Sequence, residues 1–281
     1  MIVDTHTHVI ARDEARYPLR PSGVGSQWFR DAPCTAEELA ELTTASGVDA
    51  AVLVQAFGAY SYDNSYVVDS AAARPERYVS VAIVDAEDPA SPATVSALAH
   101  EKAFTGVRLF SIGALEHPQP RWLDHPVTFE LWEVCASLGL RVVVACLPEH
   151  LARLQRVLEQ YPRQPVVLDH CGFVELDGGP PYPQAAALFQ LVEHTNLHLK
   201  ITSHVLEAAD AHGDACEIVD RLVDEFGAER LVWGSDFPQT HDRSYAELVA
   251  LAQRACRNLS ERDRALVLGD TALQLWPELA R

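Results

Sequence analysis

The chain alternates short runs of Val, Ile and Leu with longer stretches in which apolar residues recur at helical spacing. Eight runs read as strands: 2–8 (IVDTHTH), 50–55 (AAVLVQ), 78–84 (YVSVAIV), 106–110 (GVRLF), 141–146 (RVVVAC), 166–171 (VVLDHC), 197–202 (LHLKIT) and 230–236 (RLVWGSD). Most are continuously apolar, as parallel strands covered on both faces are. Helical signals separate them. Thr35 and Glu38 form a T-x-x-E capping box for a helix stopping near Gly47, and Asp63 can cap a helix ending near Arg74. Segment 126–139 ends in Gly139, and segment 148–162 has Pro148 at its start and Pro162 at its end. Helical stretches PQAAALFQLVEHT, DACEIVDRLVDEFG and SYAELVALAQRACRN follow, and Ser260 caps a last one. Eight strands, each followed by a helix, predict an α/β fold: a (β/α)8 TIM barrel forming a single domain over residues 1–281. An open doubly wound sheet is the alternative, but eight parallel strands would be large for one. The longest irregular stretch, 9–34, contains Trp28-Phe29 and is expected to have a role of its own, as loops of that length do, often as lids.

The first strand raises a chemical question. After Ile2-Val3 come Asp4, His6 and His8 at alternating positions, which share one face of a regular strand. Burying such groups is costly unless something pairs with them. With 12 histidines in 281 residues, a lone H-x-H arises readily by chance, so its weight depends on the other strand ends. In such barrels the active site lies at the C-terminal ends of the strands. The second strand ends in Gln55, the fourth carries Arg108, and the sixth ends in Asp169-His170. The seventh runs into Ser203-His204, and the eighth ends in Ser235-Asp236. Apolar strands that all turn polar at one end point to a functional site. Its residues suit hydrolysis: the Asp236 carboxylate can take a proton from water, and imidazoles can bind a metal or donate hydrogen bonds to a carbonyl. There is no G-x-S-x-G elbow, glycine-rich phosphate loop or dinucleotide fingerprint.

Composition narrows the partners. A formal net charge of −18 argues against nucleic acid and against anionic membrane surfaces, leaving a small-molecule substrate. Oligomeric state is not legible. The first residues already read as a strand, with no basic segment leading into an apolar one, and the six cysteines are scattered without a C-x-x-C pair. Reduced thiols and a cytoplasmic location are therefore expected.

The motifs DTHTH, GVRLF, VVLDHCG and LVWGSDFP, in that order, resemble the amidohydrolase-2 branch of the amidohydrolase superfamily across essentially the whole chain. The stretches GVDAAVLVQ, DNSYVVDSAAARPERYVSVAIVD and LPEHLARLQRVLEQYPRQPVVLDHCG most resemble its lactonase group, which includes pyrone-dicarboxylate, sulfomucono- and sugar-lactone lactonases. The resemblance matches His6 and His8 to the family's H-x-H, His170 to its strand-6 histidine and Asp236 to its strand-8 aspartate. It implies hydrolysis of a small carboxylated or sugar-like lactone, with Asp236 as general base and His6, His8 and His170 polarising the carbonyl. Arg108 would hold a substrate carboxylate, and Gln55 and His204 would position polar groups of the substrate. Metal-dependent members carry a further histidine near the end of strand 5, where this chain has Ala145 and Cys146. His6, His8 and Asp236 can still hold one divalent metal (Zn²⁺), with Cys146 as a conceivable thiolate ligand, but metal-independent catalysis is slightly favoured. Two alternatives stand beside this reading: a Zn²⁺-dependent decarboxylase or hydratase of a small organic acid, and a barrel that binds small molecules without catalysis. Plainer roles compete at single residues. Arg108 can pair with a barrel carboxylate, Asp4 can be a structural hydrogen-bonder, Gln55 a mere strand-end polar group, and His204 a solvent-facing loop residue.

Overall fold

All eight expected strands form, with ends within one to three residues of expectation: β1 Val3–Thr7, β2 Ala50–Val54, β3 Tyr78–Ile83, β4 Phe104–Phe110, β5 Arg141–Ala145, β6 Val166–Leu168, β7 Leu197–Thr202 and β8 Leu231–Gly234. The computed structural model of the protein describes residues 1–22, 27–100, 103–110, 122–176, 179–212 and 215–280. Each strand pairs in parallel with its successor in the order β1 to β8. The ring closes where a parallel bridge joins Thr7 to Phe237. There the Asp236 amide donates to the His6 carbonyl and the His8 amide to the Phe237 carbonyl, each at 2.8 Å. Helices fill the crossovers, giving a single-domain (β/α)8 barrel.

Strand alternation sorts the core into two layers. Leu53, Leu109, Val144, Leu168 and Leu199 face outward and pack against the helices through residues such as Leu39, Leu131, Leu154 and Leu222. Val52, Val81, Val143, Val167 and Val232 face one another inside the barrel, and Trp276 and Leu279 join them from the C-terminal segment. That segment is held at the N-terminal ends of the strands by Arg141, which grips Glu278 through two nitrogens at 3.0 and 2.9 Å. The lower interior is thus apolar. The upper interior holds Arg108, Asp169, Lys200, His6 and Asp236, all buried.

Local signals act largely as expected. Thr35 and Glu38 form both bonds of the capping box on the helix Ala36–Ala45, and Gly47 follows at φ 73°. Asn64, not Asp63, is the cap residue of the helix Ser65–Ala73, while the Asp63 carboxylate accepts from the Ser65 amide at 3.2 Å. PQAAALFQLVEHT forms only a short helix, Ala186–Phe189, after a 3-10 turn. A helix not anticipated, Ser203–His212, starts at the very end of β7. The described part of 9–34 packs down: Ile10, Trp28 and Phe29 form a small core with Ala56, Ala59 and Tyr60 of the segment after β2. Residues 111–121, which include His117, lie outside the described residues. All six cysteines are buried free thiols.

Candidate active site

His6, His8, His170 and Asp236 converge at the C-terminal end of the barrel. The buried Asp236 Oδ1 lies 3.4 Å from His6 Nε2 and 3.3 Å from His8 Nε2. The His6 ring centroid is 5.0 Å from that of His8 and 5.0 Å from that of His170. Neither Asp236 Oδ1 nor His6 Nε2 has a hydrogen-bond partner among the described residues. Two unsatisfied buried polar atoms so close together mark a place where a ligand atom belongs.

Backbone strain orients two of these groups. Asp236 sits at φ 60°, and His170, Cys171, Gly172 and Phe173 are all left-handed, with φ between 52° and 69°. A left-handed residue with a side chain costs roughly 1–2 kcal/mol. Such strain concentrates at sites that need it. Here it ends β6 abruptly and turns His170 inward, where its Nδ1 lies 2.8 Å from Thr202 Oγ1.

Asp4 does not share a face with the imidazoles. The register of β1 on β2 shifts between Asp4 and Thr7, which breaks the alternation. Asp4 instead accepts from the Ser235 amide at 2.9 Å, from the His6 amide at 3.0 Å and from the Tyr245 hydroxyl at 2.9 Å. It ties β1 to the end of β8 and to the outer helix Tyr245–Ala255. Burial pushes its carboxyl up, against the pull of those hydrogen bonds.

Beneath the imidazoles lies an ionic layer in which Lys200 was not anticipated. Lys200 is fully buried on β7, with Nζ 2.8 Å from Asp169 Oδ1 and 3.0 Å from His6 Nδ1. Arg108 donates from Nε to Asp169 Oδ2 at 2.7 Å, so the plainer role proposed for it is present in the structure. Burial raises the Asp169 carboxyl, but Lys200, Arg108 and His6 together hold it well below the usual carboxylate range. A lysine inside an apolar run, LHLKIT, was the signal available in the sequence. Asp169 was visible too, as the neighbour of His170.

His6 and His170 are kept neutral. Burial, with Lys200 alongside, drives His6 well below its ordinary value, and burial pushes His170 down to about 4. Asp236 is held below the ordinary carboxylate range: burial opposes this, and the adjoining side chains of His8, His170 and His6 outweigh it. His8 Nδ1 lies 2.9 Å from the Val54 carbonyl, an acceptor, so that nitrogen carries the proton. Trp28 walls this side, its ring centroid 5.5 Å from that of His8.

The expected substrate-binding residues are less uniform. Gln55 is buried and spends its amide nitrogen on the Asp63 and Ser61 carbonyls, at 2.6 and 3.2 Å, which fixes the turn after β2. His204 is exposed at the rim, its ring centroid 6.3 Å from that of His170. Among the described residues, the groups whose possible ligand atoms all lie within 4.8 Å of one another are His6, His170 and Asp236, a possible metal site. His8 adjoins this set through Asp236. Cys146 packs in the outer core, and burial pushes its thiol up to about 12, which disfavours a thiolate.

A (β/α)8 barrel with histidines and a strand-8 aspartate gathered at its C-terminal mouth defines a hydrolase-type site. The amidohydrolase family model matches residues 3–277, and the chain belongs to that family. It is 29% identical over 248 residues to L-fucono-1,5-lactonase of Burkholderia ambifaria, covering 85% of this chain and 84% of that protein. A structure from Pseudomonas putida assigned as a 2-pyrone-4,6-dicarboxylic acid hydrolase superposes with a TM-score of 0.78 at 24% identity, covering 99% of this chain and 97% of that one. An amidohydrolase of Burkholderia multivorans with bound Zn superposes with a TM-score of 0.75 at 20% identity, covering 99% of each chain. Family membership makes this protein a hydrolytic enzyme related to the amidohydrolases.

Proposed function

We propose that the protein hydrolyses a small sugar-like or carboxylated lactone without a metal ion. The observation that carries this reading is the orphaned Asp236 Oδ1, 3.3–3.4 Å from two imidazole nitrogens. Water bound there is activated by Asp236 as general base. The water oxygen bonds to the lactone carbonyl carbon. His6 and His170 stabilise the oxyanion as hydrogen-bond donors in a site shielded from solvent. Collapse breaks the bond to the ring oxygen. The proton held at Asp236 passes to that oxygen, and the product is a hydroxy acid.

The ring bonds of His6 test the fit of a metal. Lys200 donates to Nδ1, so the single proton of the neutral ring sits on Nε2. A cation needs a lone pair there. The residues as hydrogen-bonded therefore fit a carbonyl oxygen better than Zn²⁺, and no step is routed through a metal. Arg108 has one edge committed to Asp169, which weakens the case for a carboxylate fork and favours a sugar-acid lactone, in line with the name of the Burkholderia ambifaria relative. A pH-stat screen of small lactones, with and without chelator, tests this. Turnover of at least one lactone that survives chelation is expected; turnover only with added metal would overturn the metal-free reading.

A further inference from the structure

The donor atoms of the site are spaced for a metal, yet the proton on His6 is placed for a carbonyl. The cause is one residue. His6 Nδ1 has two candidate partners: Lys200 Nζ at 3.0 Å and Asp169 Oδ1 at 3.3 Å. They demand opposite tautomers. An ammonium can only donate, which leaves Nδ1 unprotonated and puts the proton on Nε2. A carboxylate can only accept, which would put the proton on Nδ1 and bare a lone pair on Nε2 toward Asp236. That second state is the usual arrangement of a metal-binding histidine, whose other nitrogen donates to a carboxylate or carbonyl.

Distance and direction favour the first state. Lys200 makes a well-directed bond to Nδ1, while Asp169 Oδ1 has no hydrogen bond of acceptable direction among the described residues. The ammonium is anchored by the same Asp169 oxygen at 2.8 Å, so it cannot swing away from His6 without breaking an ion pair buried on both sides. Arg108 covers the other Asp169 oxygen at 2.7 Å.

We propose that Lys200 is a positioning residue that selects between two chemistries of one histidine. By donating to Nδ1 it makes His6 Nε2 a hydrogen-bond donor to substrate and keeps it from ligating a divalent cation. Without it, Asp169 would take the Nδ1 proton and the triad His6, His170 and Asp236 would become a competent Zn²⁺ site.

The use of the Nε2 proton rests on the lactonase reading. The tautomer is measured without substrate, so its failure leaves lactone hydrolysis standing, and a protein inactive on lactones would leave the tautomer result intact. Metal-stripped protein labelled with ¹⁵N-histidine is examined by NMR near pH 7.5, with His6→Gln used to assign the His6 resonances. The expected result is a pyrrole-like Nε2 and a pyridine-like Nδ1. In Lys200→Met the pattern should reverse, and affinity for Zn²⁺ alone should rise by about 10-fold or more. A protonated Nδ1 in the wild type overturns the proposal, and needs no variant to fold. An unchanged tautomer in a folded Lys200→Met, or one with no gain in Zn²⁺ affinity, also overturns it.

Discussion

Asp4 shows how a chemically suggestive residue can serve the frame instead of the reaction. Its carboxylate is the common acceptor for two backbone amides and the Tyr245 hydroxyl. Asp4→Ala would leave three buried donors without a partner, at a cost on the order of 3 kcal/mol. Chemical denaturation should show that loss; a midpoint unchanged from the wild type would mean the donors find other acceptors. The four residues His6, His8, His170 and Asp236 were legible because each closes an apolar run at the expected end of the barrel. The structural role open to Asp4 is the one it has, but its place off the imidazoles' face was hidden, because a strand irregularity has no sequence signature here. Lys200 was legible in principle, since a charge inside LHLKIT has no reason to be there unless paired. What it pairs with, on β6 and β1, depends on the ring being closed.

Among the elements, the junction of β8 and β1 matters most. Gly234 lets the two strands approach at His6: a Cβ there would lie 2.6 Å from the His6 Cβ and 3.1 Å from its amide nitrogen. Gly234→Ala must push β1 and β8 apart at His6, the proposed oxyanion donor. A stability loss of roughly 1–3 kcal/mol is expected. Lactonase activity should fall by more than that loss explains, because a small displacement of a reacting group has a large kinetic effect. Wild-type rate and stability in this variant would refute the role given to the junction. The strands were legible because parallel, doubly covered strands are continuously apolar. The helix Ser203–His212 was not, because it begins without a break after β7 and offers no turn signal. The left-handed turn at His170–Phe173 was hidden for a related reason. Only one of its four residues is glycine, and the tertiary fold imposes the rest.

The whole molecule couples stability to pH through its buried neutral histidines. Burial pushes His198 from 6.5 down to about 4, and the same holds for His170. As pH falls, the unfolded chain binds these protons first, so stability that is full above pH 6.5 is lost as pH drops from 6.5 through 4. His198 lies at the start of β7, away from the catalytic mouth, so His198→Gln isolates its share. Between pH 7.5 and pH 4.5 the wild type should lose more stability than this variant; equal losses would show that His198 keeps its proton or finds a partner. Among the described residues, no helix is long and apolar enough to cross a membrane.

The function of the gathered residues turns on whether Asp236 takes a proton from water. It is tested most directly by kcat on the best lactone of a panel, measured in chelator-treated buffer for the wild type and for Asp236→Asn. The substitution keeps the shape of the side chain and removes its capacity to accept a proton from water. The predicted result is turnover by the wild type and a loss of roughly 10²–10⁴-fold in a variant that remains folded. A folded Asp236→Asn that hydrolyses the lactone as fast as the wild type would contradict the account.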